Sequence, residues 1–155
     1  MADNYLEKRY EEVFGQRGAS SYAASHPSLE TLLRRNCSLG GFDKSYKVHP
    51  RQLEAIIRVN TMIGSSVNVQ SLRFRSVFLE DEASKVNSLI GMGGTLPEHR
   101  IPSPGTESES FIIVCGTIPE SASICMDLGI SLQSMLLKAV EMGLNGVIIK
   151  NFNPS

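Results

Sequence analysis

The chain has 155 residues, of which 41% are hydrophobic and 20% are charged, and its formal net charge is -1. This length and composition favour one folded domain with a real core and exclude a disordered chain. The balanced charge excludes a strongly basic surface, so we expect no nucleic-acid partner. The polar start, residues 1–7, is unlike a secretory signal, and no apolar stretch approaches the roughly 20 residues of a membrane helix. We therefore expect a cytoplasmic protein with no membrane contact.

Two helices are predicted in the first part of the chain. Residues 4–14 place apolar side chains on one stripe, and a linker rich in glycine, serine and alanine follows. The second helix begins after Ser28, a good N-cap, and ends at Arg35, where a cation suits the helix C-terminus. Its expected inward positions are Leu29, Leu32 and Leu33. We divide the chain into an N-terminal helix with its linker, residues 1–27, and one domain, residues 28–155.

A turn over residues 36–43 precedes a third helix, predicted over 49–63. Pro50 lies just inside that helix, and Gly64 closes it. Its expected inward positions are Leu53, Ile56, Ile57 and Asn60. A strand follows over residues 72–79, because apolar and charged side chains alternate there.

The second half of the chain predicts a short helix, a long loop and a buried strand. Asp81 can cap the helix, which ends at Ile90, and a Gly/Pro-rich loop follows over residues 91–110. The continuous apolar run 111–115 is typical of a strand buried on both faces, which would place Cys115 in the core.

The segment 127–142 is apolar almost all the way round, which is unlike an ordinary surface helix. Such a helix belongs in a core or in a subunit interface. Gly143 is its C-cap candidate, and residues 146–149 predict the next strand.

Three polar stretches are candidates for a binding site. The turn after the second helix combines arginine, serine and glycine, which could hold a phosphate, although a capped helix end is the simpler alternative. The connector 64–70 offers hydroxyls and amides, or only a turn before a strand. Residues 149–153 lie at the end of a predicted strand, where ligands of α/β sheets gather, or form only a solvated loop. The three cysteines have no C-x-x-C pair, and the histidines are scattered, so we expect reduced thiols and no metal site.

Taken in order, these stretches resemble the nitroreductase family of FMN-dependent oxidoreductases, over roughly residues 28–153. LLRRNCSLGGFD is similar to the family's helix and basic turn, and GSSVNVQ to its polar motif before a strand. DLGISLQSMLLKAVEMGLNGVIIKNFN is similar to the long central helix, the following turn and the strand near the flavin. The loop GGTLPEHRIPSPGTESESFIIVC resembles a compact bacterial subgroup. No single motif is specific; the resemblance rests on the ordered set.

The resemblance implies an α+β fold with a central mixed sheet flanked by helices. It also implies a homodimer formed through the Asp127–Met142 helix, with two FMN sites at the dimer interface. The residues implied at the phosphate end of FMN are Arg35, Asn36, Cys37, Ser38 and Gly40. Those implied to face the flavin from the partner subunit are Ser65, Ser66, Asn68 and Gln70. Those implied to place backbone amides near the flavin N5 are Ile149, Lys150 and Asn151.

The implied activity is hydride transfer from NAD(P)H through the flavin to an electron-poor acceptor, a nitroaromatic or a quinone, with no catalytic side chain. Cys37 and Gly40 stand where the family carries basic residues, and each lost charged hydrogen bond costs on the order of 1.5–3 kcal/mol. The family also continues past Ser155, so we expect the C-terminal part to be incomplete. A flavin-poor, non-catalytic dimerising or ligand-binding remnant of the fold is the alternative function, and an unrelated α/β domain is a third hypothesis.

Overall fold

The computed structural model describes residues 27–91 and 101–153. The predicted helix over residues 4–14 and part of the predicted loop, residues 92–100, lie outside this range. The elements in the described residues are α1 (Leu29–Arg35), α2 (Pro50–Arg58), β1 (Leu72–Val77), α3 (Glu80–Leu89), β2 (Phe111–Gly116) and α4 (Ala122–Glu141). The mixture of helices and a sheet confirms the expected α+β class. In the described residues the sheet consists of β1 and β2, which pair antiparallel with Leu72 opposite Gly116.

The core lies between α2, α4 and one face of the sheet. Its buried centre consists of Ile56, Met135 and Ala139, against which half-buried side chains of both strands pack. Ile56 and Leu53 are the buried residues of α2, as its apolar stripe predicted. Because α4 also contacts α1, this one helix holds together most of the described elements.

The first two helices begin where their capping signals predicted. The Ser28 hydroxyl accepts a hydrogen bond from the Thr31 N–H at 3.2 Å, and Pro50 is the first residue of α2. The prediction that Leu29 and Leu33 face inward is wrong, because both are exposed in the single chain while Leu32 is half-buried. The two-turn helix α1 meets α4 along one side only.

The third predicted helix is shorter than expected. α2 ends at Arg58, and Val59–Thr61 form a 3₁₀ turn. Here the Asn60 amide donates to the Ile57 carbonyl at 2.8 Å, and the Thr61 hydroxyl donates to the Arg58 carbonyl at 2.9 Å. These side-chain donors compete with the α-helical pattern of backbone hydrogen bonds.

Both strands differ from their predictions in burial. β1 ends at Val77, which is fully buried although its predicted neighbours on that face are arginines, and Phe78 is exposed. The cap of α3 is Leu79, so Asp81 lies inside the first turn. The prediction that β2 is buried on both faces is wrong, and Cys115 is exposed. In the described residues β2 has one partner strand, and an antiparallel pair buries one face.

The long apolar helix starts earlier than predicted. α4 begins at Ala122 after the N-cap Ser121, whose hydroxyl accepts from the Ile124 N–H at 3.3 Å. Among the described helices, α4 alone is long and apolar enough to cross a membrane, with a mean hydropathy of 1.3. The expectation that no apolar stretch approaches the length of a membrane helix is therefore wrong, although α4 is only weak evidence for a membrane span, because the core helix of a globular protein meets the same criteria.

The end of α4 follows the predicted glycine cap. Gly143 has a φ of 78°, and the Leu144 N–H donates to the Ala139 carbonyl at 2.9 Å, as in a Schellman motif. The strand predicted over 146–149 is wrong, since these residues join no ladder within the described chain. Pairing occurs later instead, as a single antiparallel bridge between Ile90 and Phe152.

Candidate functional site

The connector, residues 64–70, contains three residues with positive φ angles that are not glycine. Val67, Asn68 and Gln70 all have positive φ angles, of 50°, 56° and 52°. A left-handed conformation costs an L-residue roughly 1–2 kcal/mol, and it is least tolerated by a β-branched side chain. Strain of this kind persists only where the surroundings impose it, and it is commonest at functional sites.

Hydrogen bonds hold this strained segment in place. The buried Asp127 carboxylate on α4 accepts from the Ser66 N–H at 2.8 Å. Within the connector, the Asn68 N–H donates to the Ser65 carbonyl at 3.1 Å, and the Gln70 amide donates to the Asn68 side-chain oxygen at 3.1 Å. The connector is thus anchored to the first turns of α4.

Ser65 has a hydroxyl oxygen that no other described residue hydrogen-bonds. Its hydroxyl oxygen is buried and has no hydrogen-bond partner among the described residues. Leaving a buried hydroxyl unpaired costs roughly 1–3 kcal/mol, which a polar ligand would recover. The Asn68 and Gln70 side chains beside it are exposed and offer amide donors and acceptors. This donor set fits the polar edge of a flavin ring or its ribityl chain.

Replacing Val67 by glycine tests whether the connector stores strain. Val67 is 96% exposed, so its side chain contributes little packing, and glycine adopts a positive φ without steric cost. We expect Val67→Gly to raise the free energy of unfolding by up to about 1 kcal/mol in urea denaturation. Val69→Gly is the matched control, because Val69 has a φ of -68°, and it should lower stability. If both variants lose stability equally, the connector is not strained at Val67.

The predicted phosphate turn, residues 35–40, lies at the other end of α4. The Asn145 amide, which the sequence did not single out, donates to the Arg35 carbonyl at 3.1 Å and lies 3.5 Å from the Cys37 sulfur. Arg34 instead pairs with Glu30 along α1 at 2.8 Å. Asn36 is half-buried, and the rest of the predicted turn, Cys37, Ser38 and Gly40, is exposed. Of the predicted residues in this turn, Arg35 alone is a cation.

The third predicted group lies beside the end of α3. The Asn151 carbonyl accepts from the Gly91 N–H at 2.9 Å, while Ile149 is half-buried and Lys150 is exposed. A shallow groove of about 420 Å³ is lined by residues 88–91 and 151–153. Of the twelve predicted site residues, this groove among the described residues contains Asn151 alone, so it does not join the three groups.

The loop before β2 is tied to the residues that follow the phosphate turn. Lys44 pairs with Glu107 at 2.8 Å, and Lys47 pairs with Glu109. The Phe42 N–H donates to the Thr106 carbonyl at 2.9 Å. The hydrogen bond from Lys44, together with backbone N–H groups, lowers the pKa of Glu107 from 4.5 to about 2.

The Glu107 pKa predicts how this loop responds to acid. Because the folded pKa lies below the ordinary value, the stabilisation is complete above pH 4.5 and is lost as the pH falls towards about 2. We expect Lys44→Met to move the Glu107 pKa, measured by NMR titration of its carboxyl carbon, upwards towards 4.5. Lys47→Met, which removes the Glu109 pair, should leave that pKa in place. A Glu107 carboxyl that already titrates near 4.5 in the wild type would refute the pairing.

The metal-ligating side chains in residues 27–91 and 101–153 do not form a metal site. No three His, Cys, Asp or Glu side chains there come together to hold a metal ion. Cys125 lies inside α4, where its contact with the Glu120 carboxylate raises the pKa of the thiol and disfavours the reactive thiolate.

Comparisons with known proteins identify the fold of this chain. A scan against protein-family models and a search of the curated proteins find no match. Solved structures do match. A nitroreductase family protein from Clostridium difficile 630 has a TM-score of 0.60 at 21% identity, covering 79% of this chain and 68% of that protein. A structure from Exiguobacterium sibiricum, described as a nitroreductase in complex with FMN, has a TM-score of 0.56 at 17% identity, covering 75% and 71%.

A further match differs in length from this chain. An NADH dehydrogenase/NAD(P)H nitroreductase structure from Parabacteroides distasonis has a TM-score of 0.58 at 22% identity, covering 75% of this chain and 64% of that protein. A similarly described protein from Bacteroides thetaiotaomicron is covered over 61% of its length. The chain thus spans less than two thirds of these two structures. The common architecture of all these matches shows that the chain has the nitroreductase fold, as its ordered motifs predicted.

Proposed function

We propose that this chain is a subunit of a homodimeric FMN-dependent oxidoreductase that passes hydride from NAD(P)H to an electron-poor acceptor, such as a nitroaromatic or a quinone. The observation that carries the proposal is the strained polar connector with the unpaired Ser65 hydroxyl, at the place where the ordered motifs imply a flavin. The fold supports it, because one structure with this fold holds FMN.

The chain would bind and orient the cofactor and would supply no acid, base or nucleophile of its own. Ser65, Ser66, Asn68 and Gln70 would hydrogen-bond the ring edge, and the turn with Arg35 would hold the phosphate. Backbone amides of residues 149–151 would lie near N5. FMN, when bound, supplies the hydride acceptor and donor.

A second copy of the chain would bring these separated groups together in one site. The connector is anchored at Asp127, near the start of α4, whereas the phosphate turn contacts Asn145, just beyond its end. The fifteen helical residues from Asp127 to Glu141 span about 21 Å, so these two groups lie far apart along one chain. A twofold axis across α4 would place the start of one helix beside the end of its partner's.

The surface of α4 supports this assembly. Met126 and Ile130 are exposed on α4, and Leu29 and Leu33 are exposed on the neighbouring α1. Large apolar side chains exposed on both of these helices are typical of an interaction surface. An isologous contact would bury one set against the same set of the second copy.

A non-catalytic, flavin-poor remnant of the fold is the second candidate function. It is favoured by the phosphate turn, where Cys37 and Gly40 carry no charge and Arg34 is paired with Glu30. Such a chain would dimerise or bind another ligand without retaining FMN.

Anaerobic titration with NADH or NADPH tests the oxidoreductase proposal. The protein, first equilibrated with FMN and freed of excess flavin, should lose its visible flavin band on addition of the nicotinamide. A nitroaromatic or a quinone should then restore the band. Bound flavin that neither nicotinamide reduces would refute the activity, and a protein that retains no flavin would favour the remnant.

Restoring charge to the phosphate turn should tighten flavin binding. A Cβ added at Gly40 meets the Ile101 side chain at 3.5 Å, an ordinary contact, so a longer side chain is sterically possible there. We expect Cys37→Arg with Gly40→Arg to lower the Kd for FMN by roughly tenfold or more, through added charged hydrogen bonds. Cys37→Gln with Gly40→Gln controls for size. Equal affinities in the two double variants would remove the phosphate assignment.

A further inference from the structure

α4 carries two buried polar side chains within its otherwise apolar face. Asp127 is 6% exposed and Ser131 is 1% exposed. They are four residues apart and therefore lie on the same side of the helix. The Asp127 carboxylate accepts from the Ser66 N–H at 2.8 Å, and the Ser131 hydroxyl lies 2.5 Å from the Asn60 side-chain oxygen. These two contacts tie the start and the middle of the link between α2 and β1, residues 59–71, to α4.

The Asp127 and Ser131 contacts differ in the backbone conformation of the segment that each one binds. Ser131 meets Asn60 in the 3₁₀ turn that ends α2, where no φ angle is positive. Asp127 meets the residue directly before Val67 and Asn68, both of which are left-handed. No Lys or Arg among the described residues forms an ion pair with Asp127. The partner of the buried carboxylate is instead the Ser66 N–H.

A buried carboxylate is costly unless a hydrogen bond satisfies it, and a charged acceptor makes the stronger bond to a backbone N–H. Such a bond is suited to hold a backbone that would otherwise relax. Val67 is almost fully exposed, so its own side chain does not hold the strained conformation. A fixed Ser66 N–H therefore fixes the backbone of the connector, and this sets the directions in which the Asn68 and Gln70 side chains point.

We propose that Asp127 is a positioning residue for the cofactor site: through the Ser66 N–H it holds the connector in the conformation in which Asn68 and Gln70 meet the flavin. This inference rests on the proposed function for the identity of the ligand. Asp127 itself lies under the connector and acts through Ser66 without touching the flavin.

Three variants of the full chain separate positioning from general stability. Asp127→Ala removes the acceptor, Asp127→Asn keeps a neutral acceptor of the same shape, and Ser131→Ala removes the neighbouring buried contact. Two readouts are needed: the Kd for FMN from quenching of flavin fluorescence, and amide hydrogen exchange at Ser66, Asn68 and Val69 by NMR.

Asp127→Ala should raise the Kd for FMN by roughly tenfold or more, the loss expected for a hydrogen bond to a charged group. It should accelerate exchange at the Ser66 amide by a similar factor. Asp127→Asn should restore most of both properties. Ser131→Ala should lower stability yet leave the Kd within about twofold and the Ser66 exchange rate unchanged, because its partner is Asn60.

The inference is overturned if Asp127→Ala and Ser131→Ala change the Kd equally, or if Asp127→Ala leaves it unchanged. If the wild type binds no FMN, the proposed function fails, and Ser66 exchange then decides the positioning: acceleration in Asp127→Ala alone supports it, and no acceleration refutes it. If Asp127→Ala does not fold, Asp127→Ser keeps a polar atom in the buried position but cannot reach the Ser66 N–H, and the same outcomes apply.

Discussion

Ile130→Glu is expected to convert a dimer of this chain into monomers. Ile130 lies near the middle of α4, is 48% exposed, and shares a helix face with the exposed Met126 four residues before it. A twofold interface would contain the new carboxylate twice, once from each copy. Burying an unpaired charge costs roughly 3–5 kcal/mol, so the dimer Kd should rise at least about 100-fold. Sedimentation equilibrium over a range of protein concentrations measures this shift.

Ile118→Glu is the matched control for the dimer prediction. Ile118 is 45% exposed, similar to Ile130, but it lies after β2 and outside α4. The same chemical change there should leave the mass in solution unchanged. A wild type that is already monomeric, or equal masses for the two variants, would rule out a dimer formed through α4.

Ile56→Ala is expected to cause the largest loss of stability among single truncations considered for this chain. Ile56 is 5% exposed and packs with Met135 and Ala139 at the junction of α2 and α4. Removing a buried side chain of this size loses its transfer free energy and leaves a cavity, at a cost of about 2–5 kcal/mol. Since small domains are stabilised by roughly 5–15 kcal/mol, this loss should move the urea midpoint strongly.

The control for this truncation again uses Ile118. Ile118→Ala removes the same atoms from an exposed position and should change the free energy of unfolding by less than about 1 kcal/mol. Losses of equal size in the two variants would mean that the packing of α2 on α4 is not the core of this fold.

Features specified by neighbouring residues were predictable from the sequence. Ser28, Pro50 and Gly143 act on the backbone within one turn of themselves, and each stands at the helix end that its signal predicted. The predicted segment 127–142 begins five residues too late, because it omits the first turn of α4. The first turn is in fact capped by Ser121, and Asp127 faces inward.

Features that depend on distant partners were not predictable. The apolar run of β2 cannot reveal how many strands flank it, and residues 146–149 have strand composition without a ladder in the described chain. Burial follows from those neighbours and not from the run itself.

The candidate site likewise combines features that neighbouring residues predict with features that depend on distant residues. The polar composition of residues 64–70 drew attention to the connector, but a left-handed Val67 has no sequence signal, because valine disfavours that conformation. Asn145 and Asp127 act on residues far away in the chain. A lone carboxylate in an apolar helix was the one available signal for Asp127, since burying it requires a partner. The roles of the twelve site residues stay predictions.

We propose that two copies of this chain build one kind of flavin site along paired α4 helices. Gel filtration of the protein after incubation with excess FMN, monitored by visible absorbance and light scattering, tests it most directly. We expect the flavin absorbance to elute with a dimer, and we expect Ile130→Glu to lose both the dimer and the flavin absorbance. A peak that retains no FMN, or a monomer that binds FMN as well as the wild type does, would contradict it.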